Sequence, residues 1–370
     1  MSREKAIFKV GGCVRDEVMG RIPHDIDFVV VGETVESMIE QGFKQVGADF
    51  PVFLDENGDE FALARTERKT GKGYNGFSTG HSVDVTLEED CARRDLTINS
   101  MAMGDDKKII DFFNGQKDIQ EKRLRHVSGA FADDPVRVLR IARFNARFGS
   151  EWAVAIETKI LVAEMIDSDT LDELTPERIW KELKQVLEAD NSDVFFDCLF
   201  DLGALHIVFP ELRDIDVDSF HELNRCNTLN EKLATLHNHC GRDNVSQMLE
   251  RLKAPTSARD FIELQDKLLA ILMPTFDEIE ALPQMALAIV GNNRLSKQQL
   301  RESLNHIRNM PLKFCDLNHF ANTMRMAFFK CKNVNFDSLS DDERLVLKGS
   351  QIGERLSEIK LNKMASLFNT

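Results

Sequence analysis

Short apolar runs bounded by Gly, Asn or Asp crowd the first 125 or so residues, and the pattern then changes. Ile7–Val10, Asp27–Val31, Glu60–Ala64, Ser82–Thr86 and Lys108–Phe112 read as β-strands, because β-branched and aromatic residues alternate or run together between turn formers. Val14–Met19 and Thr34–Gln41 read as helices between them. After Pro135 apolar residues recur at i, i+3 and i+4, and strand-like alternation nearly vanishes. Helix starts are marked at Asp134-Pro135, Thr175-Pro176 and Ser296-Lys297, and breaks at Pro210, Pro255 and Pro311. The pattern predicts an α+β head with a mixed sheet followed by an all-helical remainder. It contains no internal repeat and no low-complexity tract.

Composition sharpens this only in places. Hydrophobic residues make up 42% and charged residues 29% of 370 residues, as in ordinary globular proteins. No apolar run has the length of a membrane span, and MSREKAIFKVGG lacks the apolar core of a signal peptide. The 7 cysteines are scattered without a CxxC pair, which points to small buried residues in a reducing, cytoplasmic setting. The net charge of −15 argues against a general nucleic-acid binder. Residues 121–147, however, carry seven Lys and Arg against three acids, so a phosphate-bearing partner has a place to sit.

Four stretches carry candidate chemistry. Asp25 and Asp27 stand two apart at the mouth of the apolar run Phe28–Val31; on a strand they would share one face, where a divalent cation can relieve their repulsion. Taken alone, Asp-x-Asp is a weak signal and more often a solvated loop end. Gly11-Gly12 follows a strand and precedes a helix bearing Arg15, an arrangement that lets backbone N–H groups and a guanidinium approach a phosphate, or else a plain tight turn. In Arg93-Arg94-Asp95 an arginine could clamp triphosphate with its neighbouring acid orienting it, or form a surface ion pair. Asp134-Pro135 reads as an N-cap followed by Pro at the first helical position. The helix beyond it aligns Arg140, Arg143 and Arg147 on one face, with Arg137 at its margin. Asp134 and Arg137 together offer the acceptor and donors that a planar base edge needs.

In order along the chain stand Gly11-Gly12-Cys13-Val14-Arg15-Asp16, Asp25-Ile26-Asp27, Arg93-Arg94-Asp95-Leu96-Thr97-Ile98-Asn99, Asp111-Phe112-Phe113-Asn114-Gly115, Asp134-Pro135-Val136-Arg137 with Arg140 and Arg143-Phe144, and Thr175-Pro176-Glu177-Arg178-Ile179-Trp180. This series resembles the class II tRNA nucleotidyltransferases, the bacterial CCA-adding enzymes. Ala62–Lys69 with Gly73-Tyr74-Asn75-Gly76-Phe77 is similar to the proteobacterial form. The similarity is dense over residues 7–212 and continues thinly to Val346–Arg355.

The resemblance implies a polymerase-β-like nucleotidyltransferase head at 1–128, a neck that selects the nucleobase at 129–215, a body at 216–310 and a tail at 311–370. It implies stepwise addition of C, C and A to the tRNA 3′ end from CTP and ATP, without a nucleic-acid template, a membrane or a protein partner. By position, Asp25 and Asp27 would be the catalytic pair holding two Mg²⁺ ions. Gly12 and Arg15 would bind triphosphate, Arg94, Arg140 and Arg143 would contact the nucleotide, Asp134 and Arg137 would select the base, and the loop around Lys69–Phe77 would serve the switch from C to A.

Two departures stand out. Asp133 replaces the family's usual Glu and is expected to support the helix start. Ala234–Gly241 stands where some relatives carry a His-Asp phosphohydrolase; with Asn238-His239 there, His237 and His239 read as packing residues and no hydrolase activity is expected. The runner-up is a poly(A) polymerase, which shares the head. An RNA-binding protein with an inactive head and a small-substrate nucleotidyltransferase are weaker readings, given the intact Asp25, Asp27, Arg94 and Arg140 and the long helical remainder. For RNA, Arg123, Arg125 and Arg147 are expected to flank the cleft, followed by Lys181 and Lys184.

Overall fold

The computed structural model of the chain describes residues 6–46, 52–69, 77–80, 82–274, 281–292, 295–310 and 316–368. The chain packs as two units, Met1–Arg213 and Asp214–Thr370. The Gly73–Gly76 part of the expected C-to-A element lies outside the described residues.

The first unit opens with β1 (Ala6–Val10), α1 (Gly12–Val18), β2 (Asp27–Val31), α2 (Val35–Glu40), β3 (Lys44–Val46), β4 (Val52–Leu54), β5 (Glu60–Leu63), β6 (Thr66–Lys69), β7 (Phe77–Gly80), α3 (Leu87–Ala92), β8 (Ala102–Met103), β9 (Ile109–Ile110), α4 (Gly115–Gln120) and β10 (Arg123–Leu124). It continues with α5 (Val136–Phe148), β11 (Ala153–Val154), α6 (Ile156–Asp167), α7 (Pro176–Leu187), α8 (Ser192–Asp201) and α9 (Leu205–Val208). Seven strands form one mixed sheet in the order β3-β4-β5-β2-β1-β8-β9. β2 runs antiparallel to β1, with Phe8 opposite Val29, and parallel to β5, with Val29 opposite Ala62.

Period-two alternation on β2 decides where the chemistry lies. Val29 and Val31 pack with Val10, Val85, Leu87 and Cys91 on one face. Val30 packs with Met38, Phe53, Phe61 and Leu63 on the other. Asp27 is in register with Val29, so it points to the face covered by α3. Phe28 turns the opposite way and stacks on Phe61 at 4.6 Å.

The second unit is helical: α10 (Leu229–Cys240), α11 (Arg242–Arg251), α12 (Thr256–Leu272), α13 (Leu282–Val290), α14 (Lys297–Asn309), α15 (Leu317–Lys332), α16 (Asp341–Val346) and α17 (Ser350–Phe368). Leu268, Val290, Leu304, Met324 and Met364 belong to its apolar core. Pro255 separates α11 from α12 as expected, and Ser296 caps α14 through a capping box with Gln299. No helix among the described residues is long and apolar enough to cross a membrane.

Several local expectations are corrected. Ser82–Thr86 is a turn: Thr86 forms a capping box with Glu89 and starts α3, a local bond that overrides β propensity. Lys108–Phe112 is a strand only at Ile109–Ile110, because the Asp111 carboxylate turns to accept the N–H groups of Gly115 and Gln116 at 2.8 and 2.9 Å and starts α4. The remainder is not wholly helical, since β11 pairs in parallel with β10. At α5 the cap lies one residue later than expected, on Pro135, while Asp134 still accepts the Val136 N–H at 3.2 Å.

Candidate active site

One cleft of about 1040 Å³ in the first unit gathers residues from α1, β2, the end of α3, α5 and α7. Every site residue expected from the sequence lines it: Gly12, Arg15, Asp25, Asp27, Arg94, Asp134, Arg137, Arg140 and Arg143. Nine cationic side chains face five acids there. In a protein of net charge −15 this is a local positive field suited to a polyphosphate.

Asp27 begins β2, and Asp25 lies in the bend before it, not on the strand. Both are exposed to the cleft. The surrounding protein withdraws water from Asp27 and raises its pKa. The Arg94 charge opposes this and the Asp25 carboxylate adds to it. Two neighbouring carboxylates facing one cleft are the donor set a hard divalent cation relieves, so the pair fits such an ion.

The glycine turn is held by geometry. Gly11 has φ +77°, and a Cβ there would lie 2.9 Å from Arg94 Nη1. Gly11→Ala is expected to incur about 1–2 kcal/mol of left-handed strain and to push the Arg94 guanidinium out of place. Nucleotide affinity should fall more than thermal stability, as paired binding and melting measurements would show.

The acid that orients Arg94 is Asp90, not Asp95 as expected. Just past the end of α3, Arg94 Nη2 lies 3.0 Å from Asp90 in the last turn, and Nη2 of the C-cap Arg93 lies 2.6 Å from the same fully buried carboxylate. Burial raises the Asp90 pKa, but the two guanidinium charges and their hydrogen bonds outweigh it and the net shift is downward. Arg94 Nε is buried with no acceptor among the described residues.

Asp95 serves Arg140 instead. Arg140 Nε and Nη2 reach its Oδ2 at 2.8 and 2.6 Å, Asn99 donates to Oδ1 at 3.0 Å, and the Leu96 N–H donates to Oδ1 at 2.8 Å. Asn99 also accepts from Arg15 Nη1 at 2.6 Å, and Arg15 pairs with Asp16, which pairs with Arg147. A continuous polar chain thus joins α1 to α5. Arg143 Nε lies 2.5 Å from Glu182 on α7. Phe144, 4% exposed, has the guanidiniums of Arg15, Arg140 and Arg143 over its ring at 5.3, 5.5 and 4.7 Å. The negative face of the ring attracts these cations and offsets part of their mutual repulsion.

Burial raises the Asp95 carboxyl, but the Arg140 charge and the bonds from Asn99, Arg140 and Leu96 outweigh it and hold its pKa down to about 2. Against an ordinary value of 3.8, this contributes about 2 kcal/mol of stability above pH 3.8, which is lost as pH falls through 2. Urea unfolding from pH 5 to pH 2 should show this loss in the wild type and not in Asp95→Asn.

The sequence missed further residues. Arg178 Nη1 and Nη2 each lie 2.8 Å from a different oxygen of Asp134. Arg137 does not pair with Asp134; it donates to the backbone carbonyls of Ala130 and Arg93 at 2.9 and 2.7 Å. Arg178 and Glu182 follow the Thr175-Pro176 helix start at helical spacing, and that was the signal available for them. Arg147 and Lys181 line the cleft as expected. Arg123, Arg125 and Lys184 do not, Arg125 being engaged by Asp118 and Glu157, and Lys184 by Glu188. In the second unit His237 Nε2 lies 2.9 Å from Asp266 and His239 Nε2 lies 3.2 Å from Glu222, so the two imidazoles have separate carboxylate partners. Six described cysteines are free thiols; burial pushes Cys91 up to about 11 and Cys198 to about 12, consistent with inert packing residues.

A mixed sheet with two cleft-facing aspartates at the start of one central strand, and a glycine turn and arginines opposite, defines a polymerase-β-like nucleotidyltransferase head. Residues 7–125 match the poly A polymerase head domain family, and residues 153–215 match the family described as the probable RNA and SrmB-binding site of polymerase A. The chain is 42% identical over 294 residues to the CCA-adding enzyme of Marinobacter nauticus, covering 76% of this chain and 78% of that one. It is 55% identical over 208 residues to the multifunctional CCA protein of Pseudomonas fluorescens, covering 56% of this chain and 51% of that one. The chain belongs to the CCA-adding enzyme family. It spans about half the length of the multifunctional CCA proteins it matches. Its fold is that of a CCA-adding enzyme in an apo form, with a TM-score of 0.68, 21% identity and coverage of 97% of this chain and 88% of that one. The Thermotoga maritima CCA-adding enzyme complexed with tRNA_CCA has a TM-score of 0.63 at 21% identity, covering 99% of this chain and 90% of that one.

Proposed function

We propose that this chain adds C, C and A stepwise to the 3′ end of tRNA from CTP and ATP, without a nucleic-acid template. The observation that carries the reading is the convergence of Asp25, Asp27, Arg94, Arg137, Arg140 and Asp134 on one cleft. Family membership supplies the substrates: relatives are named CCA-adding enzymes.

The tRNA 3′-hydroxyl attacks the α-phosphate in line and pyrophosphate leaves. Asp25 and Asp27 would hold Mg²⁺, which when bound supplies charge neutralisation at the attacking and leaving oxygens. Arg15, Arg94 and the glycine turn at Gly12 bind the triphosphate. Arg140 and Arg143, braced by Asp95 and Glu182, stabilise charge on the nucleotide without reorganising. Asp134 accepts from the exocyclic amine of C or A, and Arg137 donates to the ring nitrogen. No side-chain nucleophile is required. We assign residues 129–215 to the neck, 216–310 to the body and 311–370 to the tail. The protein would work in the cytoplasm, where its substrates are.

The test is extension of an end-labelled tRNA transcript lacking CCA, with CTP, ATP and Mg²⁺. Growth by C, C and A followed by a stop supports the proposal. An unlimited ladder of A on any RNA end would instead move the chain to the poly(A) polymerases, whose head domain family it matches.

A further inference from the structure

Asp134 does not stand free in the cleft. Its Oδ1 accepts from Arg178 Nη1 at 2.8 Å and from the Val136 N–H at 3.2 Å, and its Oδ2 accepts from Arg178 Nη2 at 2.8 Å. A carboxylate offers about four acceptor positions, two on each oxygen. The described partners take three of them, so one remains, on Oδ2. Arg178 itself is placed by its helix start: Thr175 is the N-cap and Pro176 the first residue of α7, which sets Arg178 in the first turn facing the cleft. A planar fork bonded to both oxygens also stops the carboxylate from rotating.

We propose that Arg178 is a specificity-determining positioning residue, which leaves Asp134 a single fixed acceptor and so makes the site demand an N–H donor from the incoming base. The inference rests on the assignment of Asp134 to base selection. Cytosine and adenine present an exocyclic amine to that acceptor. Uracil and guanine present a carbonyl oxygen at that position, which would face a lone pair. Rejection of a wrong base by an unpaired polar group is far stronger than rejection by shape. Without the Arg178 fork, Asp134 can turn or share a water, and the contrast between amine and carbonyl weakens.

Arg178→Lys keeps the cation and loses the fork; Arg178→Gln loses the charge as well. The experiment measures kcat and KM for CTP and for UTP on a tRNA transcript lacking CCA, for wild type and both variants, with thermal midpoints alongside. The expected result is that the CTP-over-UTP ratio of kcat/KM falls by about tenfold or more in Arg178→Lys, the loss on one bidentate contact. UTP should gain through a lower KM, with the thermal midpoint held. The larger change should come from Arg178→Gln, which keeps the inference testable if the lysine variant folds poorly. A ratio unchanged within twofold, or an equal loss on CTP and UTP, would overturn the inference and leave Arg178 a brace of the helix start. A wild-type protein that extends no tRNA would overturn the functional reading, and the inference with it.

Discussion

Asp27→Asn is expected to lower nucleotide transfer by at least about a thousandfold, the scale on which removal of preorganised electrostatic stabilisation is felt. The same change should leave the protein as stable as before or slightly more stable. Asp27 opens β2 and faces the cleft, where burial and the Asp25 charge already disfavour its ionised form. Removing that charge relieves a desolvation cost that, with the Asp25 repulsion, outweighs the attraction to Arg94. A defect of folding would lower activity and melting temperature together; a defect of the site lowers activity alone. Single-turnover incorporation of labelled CTP, paired with thermal unfolding, separates the two. Less than a tenfold loss of turnover would place the chemistry elsewhere.

Asp95→Ala should do the reverse and damage the scaffold first. Asp95 is 7% exposed and receives Arg140, Asn99 and the Leu96 N–H. Removing one partner of a buried pair leaves the other charge uncompensated, which typically lowers stability by about 3–5 kcal/mol. Arg140 retains some access to solvent, so about 3 kcal/mol is expected here. Urea unfolding at pH 7 measures it. Activity of the folded fraction should also fall, since Asn99 and through it Arg15 lose their anchor. Asp95→Asn keeps the shape and should recover part of the stability and little of the affinity for nucleotide. Equal stability of Asp95→Ala and wild type would show that the chain from α1 to α5 is not a structural brace.

The sequence was most legible where local physics settles the structure. β2 shows as Phe28–Val31 because a strand buried on both faces needs a continuous apolar run, and α1, α2, α7 and α14 show through glycine, Thr or Ser signals at their starts. Of the strands it missed, β3, β4, β8, β10 and β11 are two or three residues long, too short for a period to register, and β6 and β7, four residues each, carry almost no apolar residues to mark them. Site residues were legible as a set, while their partners were not. Asp90 reads in sequence as one acid among Glu88, Glu89 and Asp90; only packing makes it the buried counter-ion of Arg93 and Arg94. The acid adjacent to Arg94 in sequence, Asp95, turns instead to Arg140, 45 residues on, because a residue and its neighbour point in different directions. Arg178 pairs with Asp134 across 44 residues, a tertiary contact no local pattern encodes.

The central claim is that protein side chains, and not a nucleic-acid template, choose the base in this cleft. It is tested most directly by supplying each of the four nucleoside triphosphates alone to three tRNA transcripts, one lacking CCA, one ending in C and one ending in CC. The account predicts C on the first two, A on the third, and neither U nor G on any at comparable rates. Incorporation of U or G as readily as C and A, or a preference that follows a complementary strand added to the reaction, would contradict it.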